Sequence, residues 1–149
     1  MAKFRKKPFR KWLDCLAKVI VKTRDDWTCQ IQHDDECSGE MQPLSFNCQW
    51  CHIKSRNSNN FRWDLLNALT GCGHCHQWAH ANPHEFGVWF EAKYPHRYKY
   101  LIQYIPIHTW RESHYREVEK ALISKAKDLN IRPEVVPQAH RKRFMRAMK

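Results

Sequence analysis

Residues 51–80 read CHIKSRNSNNFRWDLLNALTGCGHCHQWAH, and within them lie four of the chain's 10 histidines and three of its 7 cysteines. Thiolates and imidazoles are the side chains that bind transition metals best, so this stretch constrains the fold more than the hydrophobic pattern around it. Cys72 and Cys75 form a CxxC pair beside Gly71 and Gly73, a spacing at which two thiolates on one tight turn share a tetrahedral ion at about 2.3 Å. They require a second pair. Cys29 and Cys37 lie upstream in a polar loop, and Cys48 and Cys51 lie on a segment that reads as a strand. A strand alternates its side chains, so Cys48 and Cys51 face opposite sides unless a bulge intervenes. That favours Cys29, Cys37, Cys72 and Cys75 as a structural four-cysteine zinc site over a set of buried, metal-free thiols. His76 and His80 are four apart; on a helix they project from one face and can chelate one ion.

Composition bounds the rest. A length of 149 residues with 42% hydrophobic content and seven tryptophans predicts one compact, packed unit. No apolar run reaches the roughly 18 residues of a membrane span, and the basic start lacks the apolar stretch of an export signal. The odd cysteine count and the CxxC spacings read as metal ligands and free thiols in a reducing, cytoplasmic compartment. The net charge of +11 is concentrated at the ends: MAKFRKKPFRKW carries six Lys or Arg and RKRFMRAMK five, with no Asp or Glu in either. Between them 15 basic residues balance 15 acidic ones. Two cationic arms on a neutral body suit attachment to phosphate, where each neutralised phosphate releases counterions.

Local patterns predict the elements. Trp12, Leu13, Leu16, Val19 and Ile20 recur at helical spacing over residues 11–22. Leu44, Phe46, Cys48, Trp50 and His52 alternate with polar neighbours and predict a strand. SRNSNN reads as loop, FRWDLL as a return strand or short turn, and TGCGHC as a glycine-punctuated turn. Helix is expected from about His74 to the Asn-Pro pair, and again in HEFGVWFEAKY. Tyr115, Val118, Leu122, Ile123, Ala126 and Leu129 form a helical stripe closed by Asn130 and Pro133.

With these residues in place, the chain resembles an HNH endonuclease of the ββα-metal, or His-Me finger, superfamily. The likeness rests on CHIKSR, RWDLLNAL and CGHCHQWAH, which give His52, Asn67, His76 and His80 at spacings similar to the HNH motif. TRDDWTCQ and CHQWAHANPHEF look most like the NinG/Rap recombination nucleases of phages. The resemblance covers roughly residues 22–95. It implies an α+β fold with a small zinc-stabilised ββα-metal core at 25–95; the charge and helical patterns add a basic arm and helix (1–24) before it and a C-terminal helical extension with a basic tail (96–149) after it. It also implies a metal-dependent DNA endonuclease of a phage-infected bacterial host, acting in recombination, replication or packaging. His52 would be the general base. Asn67 would accept a hydrogen bond from the imidazole or from its local backbone. His76 and His80 would hold one divalent catalytic metal, and Lys54, Arg56 and Arg62 would grip neighbouring phosphates.

One position departs from the family. The residue before the general base commonly completes the metal site, and here it is Cys51. Either it is a third ligand that moves metal preference from Mg2+ or Mn2+ toward Zn2+, Ni2+ or Co2+, or water takes its place, or Cys51 or Cys48 joins the structural zinc. The competing reading is a non-catalytic zinc-stabilised nucleic-acid-binding module, for which the histidine spacing has no use. RNA is a weaker substrate candidate, and partners beyond DNA would be a second copy or other phage DNA-processing proteins.

Overall fold

The computed structural model describes residues 4–149 and shows a mixed α+β chain built on one small sheet. Helix α1 (Lys6–Arg24) buries Phe9, Trp12, Leu13, Leu16, Val19 and Ile20 along one stripe while Lys7, Lys11 and Lys18 stay exposed. It starts five residues earlier than the pattern over 11–22 indicates, because Phe9 extends the same stripe by a turn. Strands β1 (Cys48–His52) and β2 (Ala68–Cys72) pair antiparallel, with Cys48 opposite Cys72 and His52 opposite Ala68.

Two strand expectations need correction. Only the second half of the alternating run from Leu44 is extended: Leu44 itself has φ of +64°, and the Cys48 N–H donates to the Ser45 carbonyl at 3.1 Å, closing a turn ahead of β1. FRWDLL is not the return strand. Ser58 and Asp64 accept backbone N–H groups at 3.3 and 2.8 Å, capping a short helix α2 (Asn59–Arg62) and a 3-10 turn over Leu65–Asn67. The strand is the following ALTGC, much of which had the look of a turn. Its glycine serves close approach instead, since a Cβ on Gly71 would lie 2.5 Å from the Cys51 sulfur.

Helix α3 (Gly73–Ala81) follows β2 directly, as expected from His74 onward. Pro83 and Pro95 stand at the first positions of α4 (Pro83–Lys93) and α5 (Pro95–Gln103), where a missing N–H costs nothing. Helix α6 (Glu112–Asp128) buries Tyr115, Leu122 and Ala126, and Asn130 at φ of +48° closes it; α7 (Gln138–Ala147) ends the chain. Helices α5 and α7 fall in the helical extension expected over 96–149, within which the sequence pattern places only the α6 stripe.

Three apolar clusters form around the sheet. In the main core Trp50 and Ala68 join α1, Trp63, Tyr115, Leu122 and Phe144, so the N- and C-terminal helices close over the same interior. Each large side chain buried there contributes roughly 1.5–3 kcal/mol. In a second cluster Cys48, Cys51 and Cys72 pack with Ile31, Met41 and Phe86. Among the described residues no helix is long and apolar enough to cross a membrane.

Candidate metal centre and histidine cleft

Three elements meet at the cysteines. Cys29 and Cys37 come from the loop after α1, which is drawn into a hairpin-like turn by the Cys29 N–H to Gly39 carbonyl bond at 2.9 Å and by the bridge between Thr28 and Glu40. Cys72 ends β2 and Cys75 lies in the first turn of α3. The four sulfurs all lie within 4.8 Å of one another, three of the residues fully buried. Tetrahedral sulfurs at about 2.3 Å from one ion stand about 3.8 Å apart, so this set fits a metal such as zinc. Backbone N–H groups of His33 and Gly39 point at the sulfurs of Cys75 and Cys37, each at 3.5 Å. Burial alone would push the Cys72 thiol up, but hydrogen bonds from the Cys75 and Ser38 backbone and from neighbouring thiols outweigh it and bring it down to about 6. Burial pushes Cys29 and Cys75 up. Cys72 is therefore the thiol that ionises most readily, and a dication is what would favour the thiolates of Cys29 and Cys75. Cys48 and Cys51 are not among the four.

The histidines gather on the other side of α3. His52 at the end of β1 and His76 and His80 on α3 line one cleft of about 510 Å³, together with Trp50, Cys51 and Arg56. The Nε2 atoms of His76 and His80 lie 3.0 Å apart, a separation that two imidazoles sharing one ion at about 2.0–2.1 Å each can span. The His76 Nδ1–H donates to Gln49 Oε1 at 2.6 Å, which leaves Nε2 as the lone pair facing His80. Burial, then the neighbouring His80 and Arg56, bring His76 down to about 4, so it is a neutral donor near pH 7. Cys51 is 1% exposed on the wall of this cleft. It is not gathered with His76 and His80 into a three-ligand set. Burial and the nearby Cys29 and Cys72 hold its thiol well above the ordinary range.

His52 is held by a carbonyl. Its Nε2–H donates to the Arg62 backbone oxygen at 3.1 Å, and the Trp50 ring meets it edge-on at 4.2 Å between centroids. Burial, reinforced by Arg56 and Arg62, pushes it down to about 4, against the pull of the Arg62 carbonyl. The tautomer left is a neutral ring with a free Nδ1 lone pair. Asn67 does not touch this ring. It is fully buried, its Oδ1 accepts from the Lys54 N–H at 2.8 Å, and its Nδ2 donates to the carbonyls of Lys54 and Phe61, both at 2.9 Å. Asn67 thus clasps the loop that carries Arg56 and the Arg62 carbonyl. Of the two partners expected for it, the local backbone is the one it has.

The three expected phosphate contacts fare differently. Arg56 is exposed at the rim of the cleft. Lys54 lies over the Phe61 ring at 5.6 Å. Arg62 is engaged inside the protein: its Nε and Nη2 donate to Asp14 at 2.7 and 2.6 Å. Asp14 also accepts from Trp63 Nε1 at 2.8 Å. Gln49, Trp50 and Asp14 escaped the sequence reading. Gln49 alone carried a signal, as the strand position two before Cys51 and so on the same face of β1. No family model, curated protein or solved structure matches the chain.

Proposed function

We propose that this chain is a metal-dependent HNH-class endonuclease that hydrolyses phosphodiester bonds in DNA, with β1, β2 and α3 as its ββα-metal core. The observation that carries the reading is the convergence of His52 from β1 and the His76/His80 pair from α3 on one cleft with Arg56 at its rim. A binding module without chemistry has no need of a desolvated, neutral imidazole opposite a pair of nitrogen donors.

In this reading His52 takes the proton of an attacking water on Nδ1, because Nε2 is committed to the Arg62 carbonyl. The water oxygen bonds to phosphorus as the bond to the 3'-oxygen breaks, and the leaving 3'-oxygen takes a proton from solvent water, giving 5'-phosphate and 3'-hydroxyl ends. A divalent ion held by His76 and His80 would supply Lewis acidity at the scissile phosphate. Arg56 pairs with a phosphate oxygen and orients it. Asn67 is a positioning residue that fixes the loop bearing Arg56 and the Arg62 carbonyl. The phage setting, with action in recombination, replication or packaging, belongs to the same proposal.

The test is cleavage of supercoiled plasmid with a panel of divalent metals, comparing wild type with His52→Ala. Removing a general base costs about 10²–10⁴-fold. The variant should lose that much cleavage while keeping its circular dichroism and cysteine-bound metal; undiminished cutting would falsify the assignment.

A further inference from the structure

We propose a second, non-catalytic site on α1: a groove that takes the sugar–phosphate backbone of duplex DNA away from the point of cleavage. It rests on the nuclease reading above and deepens it. The groove has a volume of about 570 Å³ and is lined by Lys6, Lys7, Arg10, Lys11, Asp14 and Arg62. Among the described residues no carboxylate lies within ion-pair distance of Lys6, Lys7, Arg10 or Lys11; the one acid present, Asp14, is held by Arg62. The basic C-terminal end offers a contrast. There Arg143 pairs with Glu119 at 2.8 Å and lies over Phe9 and Trp12, and Arg141 donates to the carbonyls of Glu134 and Val136. Among the described residues Lys6 and Arg10 meet only the faces of Tyr115 and Trp63, at 5.7 and 5.9 Å, and no oxygen acceptor engages the groove's lysines or Arg10, whereas Arg141 and Arg143 at the other end are already hydrogen-bonded.

The α1 cations also stand where local physics opposes them. Positive side chains near a helix N-terminus work against the helix dipole, and α1 has no acidic residue in its first turn and no side-chain cap. A rule of local stability broken without an internal compensation points to a ligand that supplies the missing negative charge. Continuity with the cleft identifies it. The Arg62 guanidinium faces the groove, while its carbonyl accepts from His52 at 3.1 Å. Arg62 Nη1 donates to the carbonyl of Arg56, which lines the cleft, at 3.3 Å. A polyanion with one phosphate at His52 therefore meets the α1 cations a short step along. Single-strand sites place aromatic faces under the bases, and this groove is lined by none, so its chemistry matches the phosphates of a duplex.

Salt-dependent binding tests this in the full chain, with His52→Ala as the non-cutting parent and a short DNA duplex as probe. Lys7→Ala/Lys11→Ala removes two exposed groove cations. Lys125→Ala/Lys127→Ala removes two exposed lysines near the far end of α1, where Leu129 and Asn130 border Thr23 and Trp27. Each phosphate contact adds about 0.9 to the slope of log affinity against log salt, so the groove variant should lose about 1.8 of that slope and the control none. Its affinity at a fixed moderate salt should fall roughly tenfold. An unchanged slope in the groove variant, or an equal loss in both, overturns the groove. Wild-type cleavage, measured separately, decides whether the nuclease reading stands with it or falls.

Discussion

The two sides of α3 present metal-binding side chains in opposite ways. Cys72 and Cys75 at its start join Cys29 and Cys37 in a closed set of four donors, three of them fully buried. His76 and His80, on its other side, offer two nitrogens that open onto a cleft. Closed four-donor sets hold a fold together, whereas sets that leave positions vacant for water or substrate do chemistry. On the proposed reading one helix of nine residues bears a staple at its start and an open site on its other side, and disturbing each should have different consequences.

Replacing Cys72 should break the fold before it breaks anything else. A serine there loses the thiolate, while its hydroxyl can still cap α3 where the sulfur accepts from the Cys75 N–H at 3.4 Å, so the cost isolates the metal-binding role. We expect Cys72→Ser to lose its bound metal and to destabilise the chain by about 4–5 kcal/mol, the upper range for one substitution, read from elemental analysis and thermal melting. His80→Ala should do the reverse. His80 is exposed, so its removal should change stability by no more than about 0.5 kcal/mol and leave the cysteine-bound metal in place, while cleavage falls by about 10²-fold or more. Equal losses of stability in the two variants would erase the distinction between the sites.

Asn67 lies between these extremes, being buried like the cysteines yet serving the cleft. Asn67→Ala would strand the Lys54 N–H and the carbonyls of Lys54 and Phe61 without their partners. The expected cost is about 2–3 kcal/mol, concentrated in the 53–62 loop and visible as faster amide exchange of Lys54. Cleavage should fall as well, since Arg56 and the carbonyl that orients His52 ride on that loop.

The gathering of four cysteines was legible in the sequence and the frame around them was less so. Cysteine spacing and the alternation of β1 together singled out Cys29 and Cys37 as the mates of Cys72 and Cys75, and these are the four the structure gathers. The i, i+4 spacing of His76 and His80 also translated directly, because a helix has one geometry. Strand boundaries did not translate. ALTGC carries a glycine and a cap-forming cysteine that read as turn, yet it pairs because Gly71 makes room for the Cys51 sulfur, a contact between residues 20 apart in sequence. Likewise nothing near Arg62 announces that its guanidinium belongs to Asp14, 48 residues upstream. Local rules recover donors and helices, and lose what depends on which side chain lies across the sheet.

The pH response offers the finest test of the cleft. In the folded chain His52 titrates at about 4, chiefly through burial, against about 6.5 for an unhindered imidazole. The folded state therefore binds this proton less readily than the unfolded state. Stability from this residue is complete above about pH 6.5, drains as the pH falls toward 4, and stays flat below that. The total should be on the order of 2–3 kcal/mol. His52→Gln, which cannot charge, should remove that part of the slope, so wild type and variant melting curves should converge or diverge only within this window. His76, held down to about 4 by the same burial, adds a similar slope that the variant keeps. A difference curve that is flat from pH 7 to 4 would mean that His52 is solvated, and a solvated imidazole would share its proton with water on both sides of folding instead of standing neutral over the cleft.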